Sequence, residues 1–179
     1  MKIIKGHCIP IYIKLGVKDG KHFRNEIKGL GFIYNDGGRK IAGYKGQTGD
    51  CVVRAIAIAN NLLYQTVYDD LTLATKEFRL KSNSKLAWGM KPKNDSARLG
   101  TYRVANKPYL LSLGWKWKPT MFIGQGCKTH LRYDELPMGT IICSVSMHLV
   151  AVIDKVIHDT FDCSREGARC VYGYWYRDK

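Results

Sequence analysis

The chain reads as a single α+β domain, with a helical half packed on an antiparallel β-sheet. Three observations predict this. Helix-period apolar segments cluster between residues 50 and 114, and strand-like segments dominate after 115. Helices and strands are therefore segregated along the sequence rather than alternating, which disfavours a parallel α/β sheet. At 179 residues, with 45% apolar residues, the chain can bury a sizeable core in one domain.

The elements follow in order. Residues 1–46 are β-leaning and turn-rich. Lys2–Lys14 has strand character, interrupted at Pro10. Asn35-Asp36-Gly37-Gly38 is a strong turn, so Phe32-Ile33-Tyr34 and Lys40–Tyr44 are expected to form a hairpin. Residues 47–114 form the helical half. A first helix starts near Asp50 or Cys51, with Asp50 as a plausible N-cap, and ends around Asn60-Asn61. Val52–Ala59 is apolar nearly all round apart from Arg54, which places this helix inside the domain. A second, amphipathic helix covers roughly 64–80. Residues 81–98 read as loop, and the stretch from Lys76 to Arg98 carries seven Lys/Arg against two Asp/Glu. A third helix lies within 100–113, with Pro108 at or near its first turn and Gly114 as its stop.

Residues 115–179 form the β-rich half. Trp115-Lys116-Trp117 alternates as a strand does, with both tryptophans on one side. Thr140–Ser146, Leu149–Ile153, Val156–Phe161 and Val171–Tyr176 follow as strands. Asp154-Lys155 is a two-residue turn. In that register His148 faces Phe161 and lies diagonal to Asp159 on the same side of the sheet, with His158 on the other.

This register gives the chain its candidate chemistry. Cys51 opens a helix, where unpaired N–H groups and the positive dipole end favour a thiolate. Asp50 opposes that charge, so its side chain must point away. His148, at a strand start, can serve as base and acid. Asp159 can orient its ring, with Asp162 the competing carboxylate should a bulge shift the register. Gln47, four residues before Cys51, can donate its amide to an oxyanion alongside the Cys51 backbone N–H. Each residue also has a plainer role: a core thiol, a surface imidazole, a solvated loop amide.

The combination Gln-x-x-x-Cys at the head of a buried helix, followed far downstream by His-strand-turn-strand-Asp, resembles the papain-like cysteine peptidase superfamily. The Gly49-Asp50-Cys51-Val52-Val53-Arg54-Ala55-Ile56 segment is also similar to the nucleophile segment of ovarian-tumour-type deubiquitinases, in which a Cys precedes an aromatic pair and Arg-Ala. The matching segments are 47–60 and 146–162. Here the Gln-to-Cys gap is shorter than in papain, Val follows the cysteine, and the third member is Asp rather than Asn. The resemblance implies a helical half whose central helix bears the cysteine, packed on an antiparallel sheet bearing the histidine. It implies Cys51 as nucleophile, His148 as base and acid, Asp159 as orienter and Gln47 as oxyanion donor, in a hydrolase acting on a protein or peptide without a cofactor.

Composition frames the partners. The formal charge of +14 attracts polyanions such as nucleic acid or anionic cell-wall polymers, which leaves as the alternative a non-enzymatic basic binding module contacting nucleic acid or an acidic host protein. A small, strongly basic chain also fits a phage-encoded protein acting on a host target. No apolar run is long enough to span a bilayer, and the N-terminal residues lack a signal-peptide pattern, so a cytoplasmic protein is expected. The six cysteines, 8, 51, 127, 143, 163 and 170, are accordingly expected to be reduced. Zinc is the rival use of Cys127, His130, Cys163 and Cys170, but no CxxC knuckle is present and no metal site is expected. Trp115–Lys118 and Tyr172–Arg177 interleave aromatics with cations. Alternation favours a core face and rim for them over a base-stacking surface.

Overall fold

The computed structural model describes residues 29–46 and 48–178. The strand expected at Lys2–Lys14, Cys8 and Gln47 lie outside the described residues. Among those described, the protein is a mixed α+β structure with four α-helices and a six-stranded sheet. The strands are β1 (Gly31–Tyr34), β2 (Lys116–Pro119), β3 (Thr140–Val145), β4 (His148–Ile153), β5 (Val156–Asp159) and β6 (Val171–Tyr176), in the order β1-β5-β4-β3-β6-β2.

Helix α1 (Cys51–Asn60) is built as its composition requires: Val53 and Ile56 are fully buried, and Asn61 ends it in the left-handed conformation. Helix α2 (Tyr64–Lys81) buries Tyr64, Val67, Leu71 and Thr75, a stripe at three- and four-residue spacing. Residues 81–98 are more structured than expected. They contain the short helix α3 (Lys85–Gly89), capped by Ser84, and two single turns of 3-10 helix. Arg79 grips Asp95 with two 2.8 Å bonds that fix this segment to α2.

Helix α4 (Arg103–Ser112) corrects one expectation: Pro108 sits in its interior, not its first turn. The proline removes one backbone hydrogen bond. Tertiary packing offsets the loss, because Ala105, Asn106 and Leu110 are buried and Tyr109 Oη donates to Asp70 of α2 at 2.8 Å.

The predicted hairpin of 32–34 with 40–44 does not form. Asn35 and Asp36 accept backbone N–H groups from Gly37, Gly38 and Lys40 at 2.9–3.0 Å, and the chain curls into successive turns. Tyr44 then packs its ring on Tyr64 and Tyr68. Freed of that partner, β1 pairs in parallel with β5, so the sheet is mixed rather than purely antiparallel.

The turn at Asp154-Lys155 forms as predicted, with both residues at positive φ and Ile153 opposite Val156. The sheet is covered on both faces. Ile142 and Trp175 face α1, α2 and α4, with Trp115 beside them. Ile141, Cys143, Val150, Val152 and Ile157 face the opposite way, under Leu131, Leu136 and Cys163 from the connecting loops. This alternation is the two-residue period of a strand. Trp115, Tyr174 and Trp175 are buried, which makes these aromatics core residues rather than a stacking platform.

The expectation of reduced thiols fails at one pair. Cys127 and Cys170 form a disulfide, S–S 2.03 Å, across 43 residues. The physical reason is local pairing: His130 bridges to Cys170, and Val171 N donates to Thr129 O at 2.8 Å, which brings the two Cα atoms to 6.0 Å. The pairing also removes two of the four donors considered for zinc. His130 is engaged by Glu135 instead, at 3.1 Å. Cys51, Cys143 and Cys163 are free. Among the described residues no helix is long and apolar enough to cross a membrane.

Candidate active site

Three elements meet at one end of the sheet. Helix α1 places Cys51 at its first position, on a turn where Gly49 lies against the backbone of Leu99 and Gly100. A Cβ on Gly49 would sit 3.2 Å from the Leu99 carbonyl, so the chain's approach here depends on glycine. Strand β4 opens with His148. The two-residue turn Ser146-Met147 delivers it, with Val145 opposite His148 and the exposed Met147 held at φ 57°. Strand β5 ends with Asp159, which is 3% exposed.

These side chains are in contact. His148 Nε2 lies 2.5 Å from Asp159 Oδ2, which leaves Nδ1 as the nitrogen that can serve the sulfur. The His148 side chain and the Leu149 backbone N–H lie close enough to act on the Cys51 thiol. Burial pushes the Cys51 pKa up. The hydrogen bonds from His148 and Leu149, with the charges of His148 and Arg54, outweigh it, and the thiol titrates below its ordinary 9.0. Burial likewise opposes a charged His148. Hydrogen bonds to Asp159, Cys163 and Cys51 overcome it and hold the imidazole protonated to about 11. Asp159 is lowered despite its burial, through His148, the Thr160 N–H and Arg54. The imidazolium form of His148 thus favours the charged form of both neighbours, the Cys51 thiolate and the Asp159 carboxylate.

Asp50 occupies the N-cap position without capping the helix. Its side chain is fully buried and turned away from Cys51. It accepts from Tyr64 Oη at 2.6 Å, pairs with Arg39 at 2.8 Å and binds Arg54. Arg54 also reaches Asp159 at 3.1 Å. One buried guanidinium thus joins the residue before the thiol to the carboxylate behind the histidine. In the sequence Arg54 stands out as the charged interruption of an apolar helix and as part of the segment similar to the deubiquitinase nucleophile segment, with no partner indicated. The available signal was its charge, since a cation buried four residues from Asp50 requires partners.

Asp162 is not part of the cluster. It is exposed and accepts the Ser164 N–H at 2.8 Å in a local turn. No bulge shifts β5 against β4, so Asp159 keeps the diagonal position. His158 pairs opposite Ala151, one residue out of phase with Asp159. Cys163 was not foreseen here. It is buried, with its sulfur near the His148 ring, and the donor atoms of His148, Asp159 and Cys163 lie within 4.8 Å of one another. Nitrogen, oxygen and sulfur at that spacing are possible metal ligands. Asp159, however, already accepts from His148, Arg54 and Thr160, so the carboxylate suits ring orientation better than ligation.

Cys51 and His148 open onto a cleft of about 880 Å³. Its walls are the Gly49–Val52 turn, the 99–106 segment, Trp117, the 119–126 loop and the end of β3. The Cys127–Cys170 disulfide ties that loop to the head of β6. Comparison with protein-family models, with characterised proteins and with solved structures finds no match to this chain.

Proposed function

We propose that this chain is a cysteine hydrolase of papain-like type, acting on an amide, isopeptide or thioester bond of a protein or peptide. The observation that carries the reading is the Cys51–His148–Asp159 contact at the mouth of a cleft. The Cys51 thiolate attacks the substrate carbonyl and forms a tetrahedral oxyanion. The Cys51 backbone N–H, at an open helix start, is one donor to that oxyanion, and Gln47 is proposed as the second. Collapse breaks the bond to the leaving group, which takes a proton from His148. Neutral His148 then takes a proton from water, whose oxygen attacks the thioester and frees the thiolate. Asp159 keeps the ring aligned and its charged form stable throughout.

Iodoacetamide labelling at pH 7, read by peptide mass spectrometry, tests the nucleophile. Cys51 should label far faster than Cys143, whose thiol is buried and raised. Equal rates would reduce Cys51 to a core residue. The same site is proposed to work without a cofactor. The net charge of +14 supports a second reading, in which the basic surface binds nucleic acid or another polyanion. Tight, salt-steep binding that survives Cys51→Ser, with no hydrolysis by the parent chain, would favour that non-enzymatic role.

A further inference from the structure

The cleft beside Cys51 has an unusual charge inventory for its setting. Among the residues that line it there is no Asp or Glu, and Arg103 is the one Lys or Arg. Leu99, Trp117, Met121, Phe122 and Trp175 make its walls apolar. Arg103 lies over the Trp117 ring, 5.4 Å from its centroid. Stacking on the indole face positions the guanidinium and leaves its edge N–H groups free. Among the described residues Arg103 meets no carboxylate, whereas Arg39, Arg54, Arg79 and Arg132 each do.

A second group with an open acceptor stands beside it. Asn106 follows Arg103 by three residues on α4, which puts both on one face of the helix. Asn106 is 8% exposed and lines the same cleft. Its one hydrogen bond is a long one, Nδ2 to Thr101 Oγ1 at 3.4 Å, and its Oδ1 has no partner among the described residues. A buried carboxamide with an open acceptor is a ready partner for a peptide N–H.

We propose that Arg103 and Asn106 select the substrate of this site: an extended peptide with a bulky apolar side chain and, within reach of it, a carboxylate. The proposal rests on the hydrolase reading for its chemistry. The apolar side chain fills the Trp117–Trp175 wall, the carboxylate takes the free edge of Arg103, and Asn106 binds the peptide backbone. The positive surface draws acidic peptides to the cleft from a distance.

The test uses the Cys51→Ser chain and N-acetylated hexapeptides containing Phe, with Glu, Gln or Lys at each neighbouring position. One set ends in an amide and one in a free carboxylate, which separates a side-chain source from a terminal one. Binding is read by quenching of tryptophan fluorescence. At one position the Glu peptide should bind about tenfold more tightly than its Gln analogue, as for a hydrogen bond to a charged group. Arg103→Gln should abolish that preference, and Arg103→Glu should reverse it toward the Lys peptide, which a misfolded variant cannot do. Asn106→Ala should weaken Glu and Gln peptides alike. Equal binding of Glu and Gln peptides by the Cys51→Ser chain, or a preference that survives Arg103→Gln, overturns the proposal. Labelling of Cys51 by iodoacetamide in the parent chain judges the hydrolase reading separately, since that reagent makes no use of a peptide subsite.

Discussion

Arg54→Met removes the guanidinium and keeps most of the apolar stem, which isolates the electrostatic role of this residue. In the parent, Arg54 binds Asp50, which is fully buried, and Asp159, which is 3% exposed. Each carboxylate loses a charge-assisted hydrogen bond worth about 1.5–3 kcal/mol. Breaking a buried pair from one side costs about 3–5 kcal/mol in all, because the remaining charges stay buried. For a chain of 179 residues each kcal/mol is about 2–4 °C in Tm, so the variant should melt about 6–20 °C lower. Thermal unfolding followed by circular dichroism measures this. Glu77→Gln, which breaks the exposed Glu77–Lys81 pair, is the control and should leave Tm nearly unchanged. Adding Asp50→Asn to Arg54→Met should recover part of the loss, because one stranded charge is gone. The variant should also titrate Cys51 at higher pH, since the Arg54 charge helps lower that thiol. Arg54→Met melting no lower than Glu77→Gln would refute the claim that this network holds the site together.

Four further outcomes follow from the structure. The pH profile of Cys51 alkylation should rise at an inflection below 9.0, and His148→Asn should move it upward, because burial is then opposed only by the Leu149 N–H and the Arg54 charge. The linked stability has a definite sign: the raised His148 contributes fully below 6.5 and loses its contribution as pH rises through about 11. The lowered Asp159 contributes above 3.8 and loses its contribution as pH falls through its depressed value, and urea midpoints across pH measure both limbs. Gly173→Ala should destabilise by about 1–3 kcal/mol in urea unfolding, because its Cβ would lie 2.3 Å from the Trp117 ring and 2.8 Å from the Lys118 carbonyl. Peptide mapping without reductant should recover residues 127 and 170 on one cross-linked fragment, and free thiols at 51, 143 and 163.

The parts legible in the sequence were those with a short-range cause. Apolar periodicity placed α1 and α2 within a residue or two, and the Asp154-Lys155 turn fixed the β4–β5 register, hence the meeting of His148 with Asp159. The failures had longer-range causes or local competitors. The parallel partner of β1 is more than a hundred residues away, and side-chain-capped turns consumed its expected neighbour. Pro108 was read by its intrinsic preference, while packing of α4 on α2 decided its position. The Cys127–Cys170 pair depended on a bridge at His130 that no spacing rule encodes. Cys163 approaches His148 only because the loop after β5 folds back over the sheet, and local sequence carried no signal for that.

The electrostatics of Asp50 resolve through its partners. A carboxylate adjacent to a thiol should resist a second negative charge, yet Cys51 is lowered. Two facts reverse the expectation. Asp50 spends its oxygens on Arg39, Arg54 and Tyr64, so the field reaching the sulfur is that of a compensated pair rather than a bare anion. Arg54 is then shared with Asp159, so two carboxylates stand against two guanidinium groups and the cluster is neutral before Cys51 and His148 are counted. Moving the proton from Cys51 to His148 leaves that total at zero. The separation of charge is stabilised locally by the Leu149 N–H on one side and Asp159 on the other. In a buried setting a balanced cluster of this kind can support a thiolate, whereas either arginine missing would leave a surplus anion beside it. Arg39→Gln should therefore slow Cys51 alkylation at neutral pH, although Arg39 touches neither the thiol nor the histidine. An unchanged rate would mean that Asp50 is screened by Arg54 and Tyr64 alone.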